Sequence, residues 1–357
     1  MSNTKKHSKL RHWYETYERR LSVASLIGGF IFDSLTMQRV DNLWDNLWIT
    51  FNIFLSAYCV IMLSRNKERE EGFWLPNILQ FSFGALFGSI FVFYLRSSAL
   101  SATWPFIALL LFALLINEFF QKRYTQLALR LSFLYFAIFS FSIFLMPIAT
   151  KSLNDGVFVL SGLVSLAVLW VLLKLIVRFA RESFIENRTH IWSFVTVIFV
   201  GINTLYFTNL IPPIPLSLKD SGIYHSVERD SRGNYVVGEE EMGWEKYLPF
   251  AIKIHLGSGE PLYAYTAVYS PGSLNTNIVH KWQYKDNKGE WQTSTEIPLF
   301  LAGGRVEGFR TFSHKYQFTP GDWRVSVETP RGQVISRINF KVLSSTGSST
   351  LVYSVKK

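Results

Sequence analysis

The stretch that decides the fold is Ile191-Trp-Ser-Phe-Val-Thr-Val-Ile-Phe-Val-Gly-Ile-Asn-Thr-Leu-Tyr-Phe-Thr-Asn-Leu-Ile211, followed at once by Pro212-Pro-Ile-Pro215. The first part has no charged side chain and the length that a helix needs to cross a hydrocarbon core of about 30 Å at 1.5 Å per residue. Three prolines in four positions cannot continue that helix and give the chain a stiff exit. N-terminal to this junction the text is long apolar runs. C-terminal to it the text alternates and is broken by turns.

Upstream, six more runs qualify as spans: Leu21–Met37, Leu47–Ser64, Phe73–Leu95, Ala99–Phe120, Leu127–Ala149 and Val157–Val177. The first is short and carries Asp33. Composition agrees: of 357 residues 49% are hydrophobic, 16% aromatic and only 17% charged, against about 25% charged in soluble chains. The basic start leads into more apolar spans without a small-residue cleavage site, so the first run reads as a retained signal-anchor.

Lys and Arg mark the cytoplasmic side of short loops. One set of loops carries Lys5, Lys6, Lys9, Arg11, Arg19 and Arg20, then Arg65, Lys67 and Arg69, then Lys122, Arg123 and Arg130, then Lys174, Arg178, Arg181 and Arg188. The alternate loops carry only Arg39, Arg96 and Lys151. This bias puts the N-terminus in the cytoplasm and, after seven spans, the tail outside. It also accounts for most of the net charge of +10, so the basic pI is an orientation signal and nucleic acid is not expected as a partner.

The tail reads as short strands. Gly222–Arg229 and Tyr235–Glu239 flank a Ser-Arg-Gly-Asn turn and suggest a hairpin; Pro261–Tyr269, Asn277–Lys285, Trp291–Leu301, Phe309–Phe318, Trp323–Glu328 and Gln333–Val342 follow. Trp323, Val325 and Val327 alternate against Arg324, Ser326 and Glu328, and Pro330-Arg-Gly332 turns the chain into the next strand. Such spacing fits an immunoglobulin-like sandwich. Trp244–Leu256, aromatic and of mixed charge, would lie on the outer leaflet or cover an edge of the sandwich. The expected organisation is a basic cytoplasmic N-terminus (1–20), a seven-helix transmembrane bundle (21–213), a proline-containing linker (214–221), an exported all-β, immunoglobulin-like sandwich (222–343) and a flexible Ser/Thr-rich tail (344–357).

Tyr206-Phe-Thr-Asn-Leu-Ile-Pro-Pro-Ile-Pro-Leu-Ser-Leu-Lys219 leading into Gly222-Ile-Tyr-His225 resembles a bacterial family, the domain-of-unknown-function 2914 family. Leu274-Asn-Thr-Asn-Ile-Val-His280, Trp282-Gln-Tyr284, Pro320-Gly-Asp-Trp-Arg-Val325, Gly332-Gln-Val334 and Leu21-Ser-Val-Ala-Ser-Leu-Ile-Gly-Gly-Phe-Ile-Phe-Asp33 extend the likeness over most of the chain. The resemblance implies a Gram-negative inner-membrane protein with a periplasmic C-terminal domain. It implies no activity and carries no functional residues.

The most polar spot of the membrane half is Asp33, Arg39, Asp41 and Asp45. Asp41-Asn-Leu-Trp44 repeats as Asp45-Asn-Leu-Trp48, and on a helix that spacing puts both carboxylates on one face. Paired carboxylates can hold Mg²⁺ against a phosphate headgroup; the plainer reading, which weighs more, is Trp44 and Trp48 in the interfacial aromatic belt with Arg39 paired to an aspartate. Asp33 is a costly ionisable group if it lies within the span. Glu118 and Arg130 read as a structural ion pair. Asn52 and Asn203 read as helix–helix hydrogen bonds, and Gly84-x-x-x-Gly88 is the signal for a homo-oligomer. His280, Trp282 and Tyr284 share a strand face, either as a recognition platform for glycan or peptide or as core. A single cysteine, Cys59, excludes an intrachain disulfide, the seven histidines show no metal-ligand spacing, and no nucleophile elbow, phosphate loop or dinucleotide fingerprint occurs. No metal, cofactor or catalytic residue is therefore expected. The expectation is a non-catalytic membrane protein whose exported domain binds an envelope protein or glycan. The alternative is a lipid-linked transferase or carrier acting through Asp33, Asp41 and Asp45.

Overall fold

The structure, a computed structural model, describes residues 31, 35–37, 41–65, 74–97, 99–119, 126–241, 252–272, 274, 276–305, 307–345 and 350–356. Its helices are α1 (Leu43–Arg65), α2 (Trp74–Arg96), α3 (Leu100–Phe119), α4 (Leu127–Thr150), α5 (Asp155–Phe179) and α6 (Arg181–Phe207). All but α3 are long and apolar enough to span a membrane, and α3 has a shorter apolar stretch, Leu100–Ile116. Nearly all of the first expected span, Leu21–Met37, lies outside the described residues.

The chain divides into two compact units. The first comprises residues 1–95, 105–146 and 158–204; the second comprises 96–104, 147–157 and 205–357. In the first, α4 is the most enclosed helix. Its Phe133 meets Phe83 and Phe87 of α2 at ring distances of 6.0 and 5.6 Å, and its Phe139 stacks on Phe199 of α6 at 5.8 Å. These offset and edge contacts are the preferred aromatic geometries and explain the phenylalanine-rich text. Polar contacts link helices inside this unit: Ser82 Oγ donates to the Asn52 carbonyl at 2.8 Å, and the Tyr94 hydroxyl donates to the Ser140 carbonyl at 2.9 Å. Asn52 thus joins α1 to α2 as expected. Asn203 instead donates to Phe199 O of its own helix at 2.7 Å, a correction to its reading as an interhelical link.

The helix ends follow local capping chemistry. Asn42 Oδ1 accepts the Trp44 N–H at 3.1 Å and starts α1. Asn154 Oδ1 accepts the Val157 N–H at 3.0 Å and starts α5. At the decisive junction α6 stops before the prolines. Asn209 has φ 60°, Leu210 N bonds to Leu205 O at 2.8 Å and Asn209 N to Tyr206 O at 3.0 Å. That pair of bonds with a left-handed residue is a Schellman motif, so the prolines extend an exit already made.

Among the described residues the second unit holds eleven strands: β1 (Ser217–Tyr224), β2 (Ser226–Arg229), β3 (Tyr235–Glu240), β4 (Lys253–Leu256), β5 (Leu262–Tyr269), β6 (Thr276–Lys285), β7 (Trp291–Leu301), β8 (Phe309–Lys315), β9 (Gly321–Glu328), β10 (Val334–Ser344) and β11 (Leu351–Lys356). They form sheets of order β1-β5-β8, β4-β10-β9-β6-β7 and β11-β3-β2. All pairings are antiparallel except β4 with β10. Sheet β1-β5-β8 is sandwiched. One face gives Ile223, Leu262 and Ala264 to a core with Trp282, Trp323, Val325, Ile338 and Phe340 of the five-stranded sheet. The other gives Tyr224, Tyr265 and Ala267 to a core with Val227 and Val237 of the third sheet. Burial on both faces is why β5 reads as a continuous apolar run rather than an alternation.

Three readings of the tail need correction. Gly222–Arg229 is two strands: Gly222–Tyr224 pairs with β5 and Ser226–Arg229 pairs with β3. The expected linker already contains the start of β1, with Ser217 opposite Tyr269. Residues expected to fray include β11, which pairs with β3 from Leu351–Glu240 to Lys356–Tyr235; there the β-branched alternation in Leu-Val-Tyr-Ser-Val outweighs the Ser/Thr-rich context. Of Trp244–Leu256, residues 242–251 lie outside the described residues, and Lys253–Leu256 continues a sheet edge as β4.

Candidate functional site

The acidic cluster is only partly described, since Asp33 and Arg39 lie outside the described residues. Asp41 sits in the turn before α1 and Asp45 in its first turn. The helix begins at Leu43, so Asp41 does not extend one helical face with Asp45 as the repeat suggested. Trp44 and Trp48 are exposed side chains of α1, as an interfacial pair would be. Arg130 is buried on α4, while the side chain of Glu118 is not among those described, so their pairing lies outside the described residues.

His280 and Trp282 do not form a surface platform. Both are fully enclosed and face sheet β1-β5-β8, where Ser313 of β8 serves both: Trp282 Nε1 donates to Ser313 Oγ at 3.1 Å, and that oxygen lies 2.9 Å from His280 Nδ1. His280 Nε2 is 3.0 Å from Thr266 Oγ1. A consistent set has the Ser313 hydroxyl donating to Nδ1 and Nε2–H donating to Thr266, which requires a neutral imidazole. Burial pushes this imidazole down to about 4, in keeping with that set. Tyr284 is half-buried and lies 5.5 Å from Trp323 at the rim of the same core.

Two constellations escaped sequence reasoning. Arg331, in the β9–β10 turn, is the hub of the first. Its guanidinium pairs with Asp155 and Nε donates to Asn209 Oδ1 at 3.3 Å. It also stacks over the rings of Tyr206 and Phe207 at 4.4 and 5.0 Å. Asn209 Nδ2 returns a bond to the Arg331 carbonyl at 3.4 Å, and Arg337 of β10 donates to Ser101 Oγ at 3.3 Å. Thus, within the second unit, the tip of the β9–β10 hairpin is tied to the first turn of α5 and the end of α6, and β10 itself to the start of α3. The turn needs its glycine: Gly332 has φ +92°, a conformation costly with a Cβ. Sequence alone showed only Pro-Arg-Gly; an arginine in a tight turn was the signal.

The second is Glu240 between two histidines. Its Oε1 lies 2.9 Å from His225 Nε2 and its Oε2 2.8 Å from His255 Nδ1, and Oε1 also accepts the His255 N–H at 2.6 Å. Burial raises the affinity of this carboxylate for a proton, but the bonds from His255 and His225 outweigh it and hold it below its ordinary range. Glu240 thereby fastens β3 to β4. The histidines are far apart in sequence, and packing between different sheets gathers them. Among the described residues no group of three or more His, Cys, Asp or Glu is arranged to hold a metal ion.

Residues 275–342 match the family described as "Protein of unknown function (DUF2914)", which bears out the resemblance for the segment that contains β6 to β10. No curated protein matches the chain. Among solved structures the chain is similar to a beta-glucosidase from Listeria innocua in complex with gluconolactone, at 12% identity over 30% of this chain and 16% of that one, with a TM-score of 0.19. It is also similar to the Pseudomonas fluorescens alkylpurine DNA glycosylase AlkC bound to DNA containing an abasic site analog, at 10% identity over 85% of this chain and 99% of that one, with a TM-score of 0.23. The chain thus spans about 16% of the length of the glucosidase, and likenesses this weak assign neither fold nor activity.

Proposed function

We propose that this chain, whose residues 275–342 carry the domain of unknown function 2914, is a non-catalytic inner-membrane protein with a cytoplasmic N-terminus and seven spans, whose exported β domain binds another component of the envelope. The orientation is supported by the second compact unit, which unites the β domain with 96–104 and 147–157, the connections poor in Lys and Arg. The β domain is immunoglobulin-like. Supporting that reading are the two sheet orders β1-β5-β8 and β4-β10-β9-β6-β7 and the enclosed Trp282 on the third of the core strands. A further support is Trp323, whose Nε1 donates to Thr319 O at 2.8 Å, the bond that a corner tyrosine makes in such sandwiches.

The observation that carries partner binding is β11. Among the described residues it pairs only with β3, and its Val352, Tyr353 and Val355 are 45%, 64% and 52% exposed. A free edge with β-branched and aromatic side chains is a template for strand addition unless something covers it. A photocrosslinker at Tyr353 in native membranes is expected to give a discrete protein adduct. The same adducts from a probe at Lys288, in the exposed β6–β7 turn, would contradict the reading.

The alternative, a lipid-linked transferase or carrier, is favoured by one observation: Asp45 Oδ2 is buried without a hydrogen-bond partner among the described residues. It predicts a polyprenyl phosphate retained by the purified protein and lost in Asp33→Asn/Asp45→Asn. Equal retention in that variant removes it.

A further inference from the structure

The β domain holds an open cavity of about 400 Å³ lined by Arg229, Arg232, Arg305 and Arg310 together with Glu307. That volume is in the range of small-ligand sites. The arginines come from segments distant in sequence, two from the β2–β3 hairpin and two from the β7–β8 connection and β8.

Each of these cations is positioned by the fold. Asp230 Oδ1 accepts the N–H groups of Arg232 and Asn234 at 2.9 and 2.7 Å, so its carboxylate is engaged in shaping the turn that displays Arg232. Gly233, at φ +82°, brings its backbone beside the Arg229 guanidinium, where a Cβ would lie 3.5 Å from Nη2. Arg305 lies over the Phe309 ring at 5.8 Å. Arg310 is pinned by Nη1 donating to the Lys356 carbonyl at 3.0 Å, yet its Nε is buried with no acceptor among the described residues. Gly308 lets the β7–β8 connection press on β5: a Cβ there would meet the Ala267 carbonyl carbon at 2.9 Å.

Four guanidiniums facing one carboxylate repel one another unless an anion joins them. Guanidinium is the group suited to oxyanions, through paired, charge-assisted N–H donors. We propose that this cavity is a binding site for a phosphate-bearing ligand, with the exposed guanidiniums of Arg232 and Arg305 as donors. The site goes beyond partner binding through β11 and does not depend on it. The ligand phosphate is either that of a soluble compound or that of a lipid headgroup.

The test uses the full chain in phosphatidylcholine nanodiscs at low salt, titrated calorimetrically with pyrophosphate. Saturable binding is expected, weakened about tenfold or more by Arg232→Gln/Arg305→Gln, neither of which holds a backbone group, and strengthened by Glu307→Gln. Nanodiscs containing phosphatidic acid separate the two sources. A several-fold loss of apparent pyrophosphate affinity there assigns the site to a lipid phosphate, and unchanged affinity assigns it to a soluble one. No saturation up to about 10 mM pyrophosphate, or binding indifferent to the double arginine variant, overturns the proposal. Crosslinking through Tyr353 reports on β11 separately in either case.

Discussion

Ser313 Oγ is shared by His280 and Trp282, so removing one oxygen strands two buried polar groups. Ser313→Ala is expected to cost about 1–3 kcal/mol, read as a lower midpoint for loss of the β signal, and Trp282→Ala about 3–5 kcal/mol. His280 adds a pH dependence. Its imidazole takes a proton near 6.5 when exposed and near 4 when folded, so between those values the unfolded chain binds more protons. Stability from this residue is complete above about pH 6.5 and declines as pH falls towards 4, by about 3 kcal/mol in all. Thermal unfolding from pH 7 to pH 4.5 is expected to show that decline, and His280→Gln to flatten it. Glu240 acts in a lower window: its carboxylate is held below its ordinary range, so its contribution is present above about pH 4.5 and is lost as it protonates. At this scale the sequence told that Trp282 and His280 share a face. It could not tell which way the face points, because alternation is the same for a core and for a platform.

Among the elements, β6, β7, β9 and β10 were legible to within two residues: Trp291–Leu301 was read at its observed bounds, and Trp323–Glu328 only lacks Gly321 and Asp322. Their alternation reflects a sheet buried on one face, whereas the reading of β8 as Phe309–Phe318 overran its end at Lys315. β4 and β11 were not legible as sheet members, since each is short and owes its place to a distant partner, β10 for one and β3 for the other. Lys356 ends β11 in an ion pair with Asp220 at 3.0 Å and accepts the bond from Arg310. Removing residues 350–357 is therefore expected to leave the domain folded but to speed amide exchange along β3 at least tenfold, since that strand loses a full ladder. Exchange unchanged at Tyr235–Glu240 would show that β11 adds nothing there.

For the whole molecule, the ties around Arg331 set how firmly the β domain is held to the helix ends within its unit. Asp155 is largely exposed, which limits that pair to about 1 kcal/mol, while the ring stacking and the two Asn209 bonds add to it. Arg331→Ala is expected to raise protease cleavage in residues 208–216 several-fold without lowering the insertion of the helices; cleavage at the wild-type rate would show the tie to be incidental. The long apolar helices were readable because lipid imposes a length rule on sequence directly. The Arg331 ties and the arginine cavity join residues scores of positions apart, and no local rule announces them. The account rests on the β domain standing outside the inner membrane, and the most direct measurement is maleimide labelling of single cysteines in a Cys59→Ala background. In cells with a permeabilised outer membrane and an intact inner one, Glu260→Cys is predicted to label with a membrane-impermeant reagent, and Lys67→Cys only after lysis. Labelling of Lys67→Cys in intact cells with Glu260→Cys protected would contradict the account.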